Sequence, residues 1–281
     1  MKGRSLFQKI AAVPHSVWVV MFIVAPMLFV LYFAFTDDKG RFAISNITEL
    51  GQYGNVFILS IAFALIATVV CLLIGYPLAY FMSKQSPRTK KILMVLVMLP
   101  MWCNLLIRTY ALMALLDNGG LINSLLENIG LSKIPIVGTN FGVILGMVYD
   151  FLPYMVLPIF TSMTKLDKRY IEASHDLGCN GWQTMTRVIM PLTASGVISG
   201  ITMVFVPSIS TFYISQKLGA GKIDLVGDTI ERLFQNVSTY GVGAAMSLVM
   251  MILILVSIGV MNRFSDDDED EKAAKRGGLF K

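Results

Sequence analysis

Two ionisable residues stand inside long apolar runs, Arg108 in LLIRTYALMALL and Asp150 in GVILGMVYDFLP. A charge in hydrocarbon costs at least about 2.5 kcal/mol on insertion scales, so each must find a partner or face an aqueous path. Around them lie Trp102, Tyr110, Tyr149, Phe151 and Tyr154. Their ring faces suit a cationic substrate, each contact being worth about 0.5 to 2 kcal/mol, although aromatic residues also pack and anchor membrane helices. The candidate residues of a substrate pathway are therefore Trp102, Arg108, Tyr110, Tyr149, Asp150 and Tyr154. Other chemistries lack their residues. Gly219-Ala220-Gly221-Lys222 has neither the first glycine nor the hydroxyl that a phosphate-binding loop needs, so ATP hydrolysis is not expected in this chain. No His-Glu-x-x-His occurs, the two histidines are His15 and His175, and Cys71, Cys103 and Cys179 have no metal-ligand spacing. We expect no catalytic, cofactor-binding or metal residue, and no enzyme; His175 reads as an exposed surface side chain.

The elements that hold these residues follow from composition. Of 281 residues, 55% are hydrophobic and only 15% charged, and the mean hydropathy is +0.68. A soluble domain carries roughly a quarter charged residues, so a soluble globular protein is excluded. Apolar runs recur at about residues 17–36, 57–82, 92–116, 140–163, 193–215 and 241–261. Each is long enough to cross roughly 30 Å of hydrocarbon at about 1.5 Å per residue. The expected fold is an all-α, polytopic integral membrane protein with six transmembrane helices, a single domain over residues 1–281. The first run exceeds the apolar core of a signal peptide and ends on a poor cleavage site, Ala34-Phe35-Thr36, so it reads as a signal anchor.

Most of the 23 basic residues fall on one side of these spans. That side holds Lys2, Arg4 and Lys9; Lys84, Arg88, Lys90 and Lys91; Lys165, Lys168, Arg169 and Arg187; and Arg263, Lys272, Lys275, Arg276 and Lys281. By the positive-inside rule both termini are cytoplasmic, and the net charge of +5 is a topology signal rather than a nucleic-acid footprint. The tail, about 263–281, is acidic from Asp266 to Glu271 and then basic, and is expected to stay solvated and irregular.

With span three running outward and span four inward, Arg108 lies roughly 12 Å and Asp150 roughly 15 Å from the outer ends of their helices. Three placements are open: an ion pair pinning span three to span four, Asp150 facing the lumen to attract a polycation, or a partner on another subunit. Pro77, Pro100, Pro153, Pro158 and Pro207 should bend their spans. Gly142 with Gly146, and Gly196 with Gly200, are small-residue pairs that suit close helix contact.

The Lys165–Leu192 stretch is too long and too regular for a simple connection. Leu166, Tyr170, Ile171, Ala173 and Leu177 recur near helical spacing, Gly178 and Gly181 permit a turn, and Trp182–Ile189 resumes a helix before Pro191. A helical hairpin between two spans is a docking surface. Glu172-Ala173-Ser174, then Asp176-Leu177-Gly178, then Ile189-Met190-Pro191 resemble the EAA loop of ABC importer permease subunits. Ser174 and Met190 stand where that pattern has alanine and leucine.

The resemblance extends to GYPLAYF at 75–81, LPMWCNLLIRTY at 99–110 and Leu166-Asp167-Lys168. Over about residues 10–262 the chain is similar to permeases of polyamine (spermidine/putrescine) importers, the B-type subunit in particular. The resemblance implies a six-helix permease of the type I ABC importer kind in a bacterial cytoplasmic (inner) membrane. It implies a coupling segment of about 165–191, with Glu172, Ala173, Ser174, Asp176, Gly178, Ile189 and Pro191 as its residues and Glu172 meeting a basic residue of the ATPase. It further implies a second permease subunit, two ATP-binding subunits holding ATP and Mg, and an extracytoplasmic binding protein. A permease for another small solute, and an ion-coupled secondary carrier using Arg108 and Asp150, are the alternatives; such a carrier has no need of the hairpin.

Overall fold

The computed structural model describes residues 6–36 and 40–278, with side chains over 13–36, 40–261 and 263. Every regular element among them is helical apart from an isolated bridge between Thr36 and Phe42. Among the described residues five helices are long and apolar enough to cross a membrane: Val13–Ala34, Ser45–Lys84, Leu105–Asn128, Asn140–Thr164 and Val237–Met261. Gly181–Leu192 with Ala194–Ser210, bent by 67° at Thr193, brings the number to six.

The helices gather into two compact units. One comprises residues 1–55 with 229–253, and its small core is Ala34, Ala244 and Ala245 with Val30, Ile47, Phe234 and Leu248 packed around them. Asn46 closes the end of the first span there, its amide donating to the carbonyls of Phe33 at 3.2 Å and Thr36 at 3.1 Å, a side-chain supplement to the backbone bonds of the last helical turn. The first span has a π-helical turn at Val20–Val24, with Ala25 N–H bonded to Val20 O. The residue after Ala25 is Pro26, whose ring would clash with the carbonyl four residues back, and the wider turn relieves it. The same device recurs at Met185–Ile189, where Met190 N–H reaches Met185 O just ahead of Pro191.

The second unit, residues 56–228 with 254–281, is built on the Asn140–Thr164 helix. This helix is apolar on all sides and is the most buried of the candidate spans, as expected of a helix surrounded by protein rather than lipid. Met147, Met155, Val156 and Ile159 are fully enclosed on it. It packs most extensively on Ala194–Ser210. A β-carbon at Gly196 would stand 2.5 Å from Ser162 Cβ and 2.8 Å from the Pro158 carbonyl, and one at Gly200 would stand 2.8 Å from Met155 Sδ. The close contact expected of the Gly196/Gly200 pair is present. Pro77, Pro100, Pro153, Pro158 and Pro207 all lie inside helices.

Three expectations change. The run at 92–116 is not one helix: Pro87–Trp102 ends at extended Cys103 and Asn104, and Leu105–Leu116 begins anew with Asn104 Oδ1 accepting from Leu106 N–H at 2.8 Å. Asn104 is the one polar residue at this break and the apolar run resumes directly after it, so hydrophobic periodicity alone does not reveal the break. The run at 193–215 likewise stops at Ser210, and Tyr213–Leu218 is a separate short helix. The tail, expected to be irregular, continues the last helix from Tyr240 to Gly278, because extending an existing helix avoids the cost of nucleating one.

Candidate functional site

The Lys168–Asp176 helix is held at both ends by its own sequence. Asp167 caps its start, accepting from Arg169 N–H at 3.0 Å. At its end Gly178 takes φ +80, Gly178 N–H bonds His175 O at 2.9 Å, and Cys179 N–H bonds Ser174 O at 3.0 Å. These are the two bonds of a Schellman motif, which calls for glycine at that position. Two residues on, Asn180 and Gln183 form a reciprocal capping box of 2.8 and 3.0 Å that starts the second arm. Ser174 Oγ and Thr184 Oγ1, both buried, lie 3.0 Å apart and join the arms. The serine in place of the second alanine thus has a partner that its departure from the family pattern did not suggest.

Outward, the hairpin presents Tyr170, Leu177 at 85% exposure and Trp182 at 74%, beside exposed Glu172, Ala173 and Asp176. Ile189 is buried and Pro191 opens the next helical turn. The residues singled out in the sequence therefore divide. Glu172, Ala173 and Asp176 face outward, Gly178 shapes the turn, Ser174 and Ile189 secure the interior, and Pro191 directs the chain into the bend at Thr193. Trp182, also exposed, gave no signal beyond its type. Beside Glu172 a cleft of about 300 Å³ is lined by Ser83, Lys84, Gln85, Lys90, Lys168 and Ile171.

The two charges inside the spans meet. Arg108 Nε pairs with Asp150 Oδ1. Arg108 Nη1 donates to Pro100 O at 2.9 Å, Nη2 to Asp150 O at 3.3 Å, and Thr109 Oγ1 to Asp150 Oδ2 at 3.1 Å. The guanidinium thus serves two carbonyls and a carboxylate, and its bond to Pro100 spans the break at Cys103–Asn104. Asp150 has no exposed surface on this chain, so of the three placements considered the chain has the intramolecular one.

The aromatic candidates do not form one wall. Trp102, Tyr110 and Tyr149 are 73%, 46% and 41% exposed, whereas Tyr154 is half-buried and stands edge-on to Phe151 at 6.3 Å. Arg108 lies over the Tyr149 ring at 5.8 Å. Tyr110 instead stands edge-on to Tyr213 at 5.8 Å, and Lys217 Nζ sits over both rings. Tyr213 and Lys217 belong to a helix a hundred residues further on, which no local pattern joins to Tyr110. Among the described residues no group of His, Cys, Asp and Glu is placed to hold a metal ion.

A helical membrane chain that inserts a capped, outward-facing hairpin between two spans has the organisation of an ABC importer permease subunit. The family of binding-protein-dependent transport system inner membrane components matches residues 72–267, and the chain belongs to that family. It is accordingly a multi-pass membrane protein that works with other subunits of an ABC transporter and with a binding protein, and the ion-coupled carrier is set aside. The spermidine/putrescine transport system permease protein PotB of Haemophilus influenzae is 39% identical over 267 residues, covering 92% of this chain and 93% of its own. PotB of Escherichia coli is 38% identical over 247 residues, covering 84% and 90%. A chain in the crystal structure of a bacterial alginate ABC transporter superposes with a TM-score of 0.74 over 92% of this chain and 93% of its own, at 19% identity.

Proposed function

We propose that this chain forms half of the membrane pathway of an ATP-driven importer of polyamines, spermidine and putrescine being the expected substrates. The observation that carries this reading is the near full-length similarity to permeases named for those substrates. The alginate transporter shares the fold at low identity, so the fold alone leaves the solute open, and another small solute is the second reading. On this proposal residues 1–281 act as a single permease domain with both termini in the cytoplasm. A second permease completes the pathway, two ATP-binding subunits hold ATP and Mg, and an extracytoplasmic protein delivers the substrate.

The hairpin over about 165–191 is the element that couples to the ATPase. Its exposed Tyr170, Leu177 and Trp182 present apolar surface to a groove, and Glu172 presents a carboxylate to a basic residue there. The Schellman turn and capping box make the hairpin stiff, so displacement of the docked subunit passes into the helix that follows Thr193 rather than dissipating in a loop. Purification with the candidate partners and measurement of binding-protein-stimulated ATP hydrolysis tests the proposal. Stimulation by spermidine or putrescine and not by an unrelated sugar is the expected result; stimulation only by a different solute overturns the polyamine assignment.

A further inference from the structure

Lys217 has no carboxylate within ion-pair distance among the described residues. Its ammonium instead lies 4.9 Å from the centroid of Tyr110 and 5.6 Å from that of Tyr213, two rings set edge-to-face at 76°. Such rings attract a cation through their negative faces. A lysine side chain ends in –CH2–NH3+, the group that ends a polyamine, so the protein's own side chain shows which chemistry the two rings accept.

The position suits such a ligand. The coupling hairpin precedes the Ala194–Ser210 helix and the Tyr213–Leu218 helix follows it, so these seventeen residues, about 26 Å of helix, separate the hairpin from the ring pair. With the hairpin on the cytoplasmic side, the rings stand toward the opposite mouth, where substrate arrives. Tyr110 remains 46% exposed, which leaves the pair open on one side.

We propose that Tyr110 and Tyr213 form a binding site for an alkylammonium group, with Lys217 as a tethered occupant that yields to the incoming amine. The proposal rests on the polyamine reading for the identity of that amine. Exchange of one ammonium for another leaves the rings occupied throughout, so the mouth never exposes an empty aromatic cage, and the released Lys217 repels a second cation behind the first.

The test uses the assembled complex in lipid nanodiscs. Reductive dimethylation of Lys217, followed by mass spectrometry, is measured with tetramethylammonium, which does not itself react, against sodium chloride at matched ionic strength and against neutral tert-butanol. Tetramethylammonium is expected to raise Lys217 labelling about threefold or more while both controls leave it level. In Tyr110→Leu/Tyr213→Leu labelling should be high throughout, and in Tyr110→Phe it should follow the native protein. Labelling of Lys217 that ignores tetramethylammonium overturns the site. In spermidine uptake, Lys217→Met should lower the half-saturating concentration about threefold; loss of uptake with normal assembly would show that Lys217 is required rather than displaced. A native complex that does not transport spermidine refutes the polyamine reading and leaves the labelling result to decide the site by itself.

Discussion

Asp150→Asn perturbs the buried pair at one point and leaves its size unchanged. In the native protein the Arg108 guanidinium, 7% exposed, has the Asp150 carboxylate and the carbonyls of Pro100 and Asp150 as acceptors. Removing one partner of a buried ion pair costs about 3 to 5 kcal/mol. Asparagine keeps one oxygen toward Nε and both carbonyls stay in place, so the lower figure applies, about 3 kcal/mol. That corresponds to a loss on the order of 150-fold in the folding equilibrium, or roughly 6 to 12 °C in the unfolding midpoint of a chain this long. Asp150→Ala, which removes the oxygen as well, should lose about 5 kcal/mol. Arg108→Gln with Asp150→Asn replaces both charges by amides that bond to each other and to Thr109, and should recover about 2 kcal/mol relative to the sum of the single changes. The assay is the thermal midpoint and yield of the detergent-purified complex, with uptake measured in parallel. A native midpoint in Asp150→Asn together with lost uptake would refute the structural role and make the carboxylate a substrate ligand.

At Gly178 the left-handed backbone, not space, is the constraint, since a β-carbon at this position would meet nothing within 4 Å; substitutions should cost about 1 to 2 kcal/mol for alanine, less for asparagine and more for valine, and ATPase activity coupled to uptake should fall in the order Gly, Asn, Ala, Val. Gly196→Leu drives a branched side chain into Ser162 and the Pro158 carbonyl, so complex yield should collapse, whereas Ser199→Leu, on an exposed position of the same helix, should assemble normally. Tags after Lys84 and at Lys281 should be reached only from the cytoplasm and one near Asn128 only from outside; a cytoplasmic Asn128 would overturn the proposed orientation.

Hydrophobicity determined by itself that this chain lives in a membrane, because runs of about 20 apolar residues have few other stable environments. The span at 140–163 was legible almost to the residue, since Thr139 caps it and its apolarity ends where the hairpin begins. The hairpin was legible too, because Gly178 and Gly181 act within a few residues of themselves, although the Asn180/Gln183 box that starts its second arm emerged only in the structure. Breaks inside apolar runs were not: at Cys103–Asn104 a single polar residue interrupts a stretch that is apolar on both sides, and the guanidinium of Arg108 satisfies the Pro100 carbonyl across it. The depths of Arg108 and Asp150 brought them level from sequence alone, yet several partners remained possible until helix rotation aimed one at the other. The joining of Ser174 to Thr184, and of Tyr110 to Tyr213 and Lys217, was decided by the tertiary structure. These contacts depend on how helices pack and rotate, and a single chain's local pattern carries no term for the face that a distant helix will present.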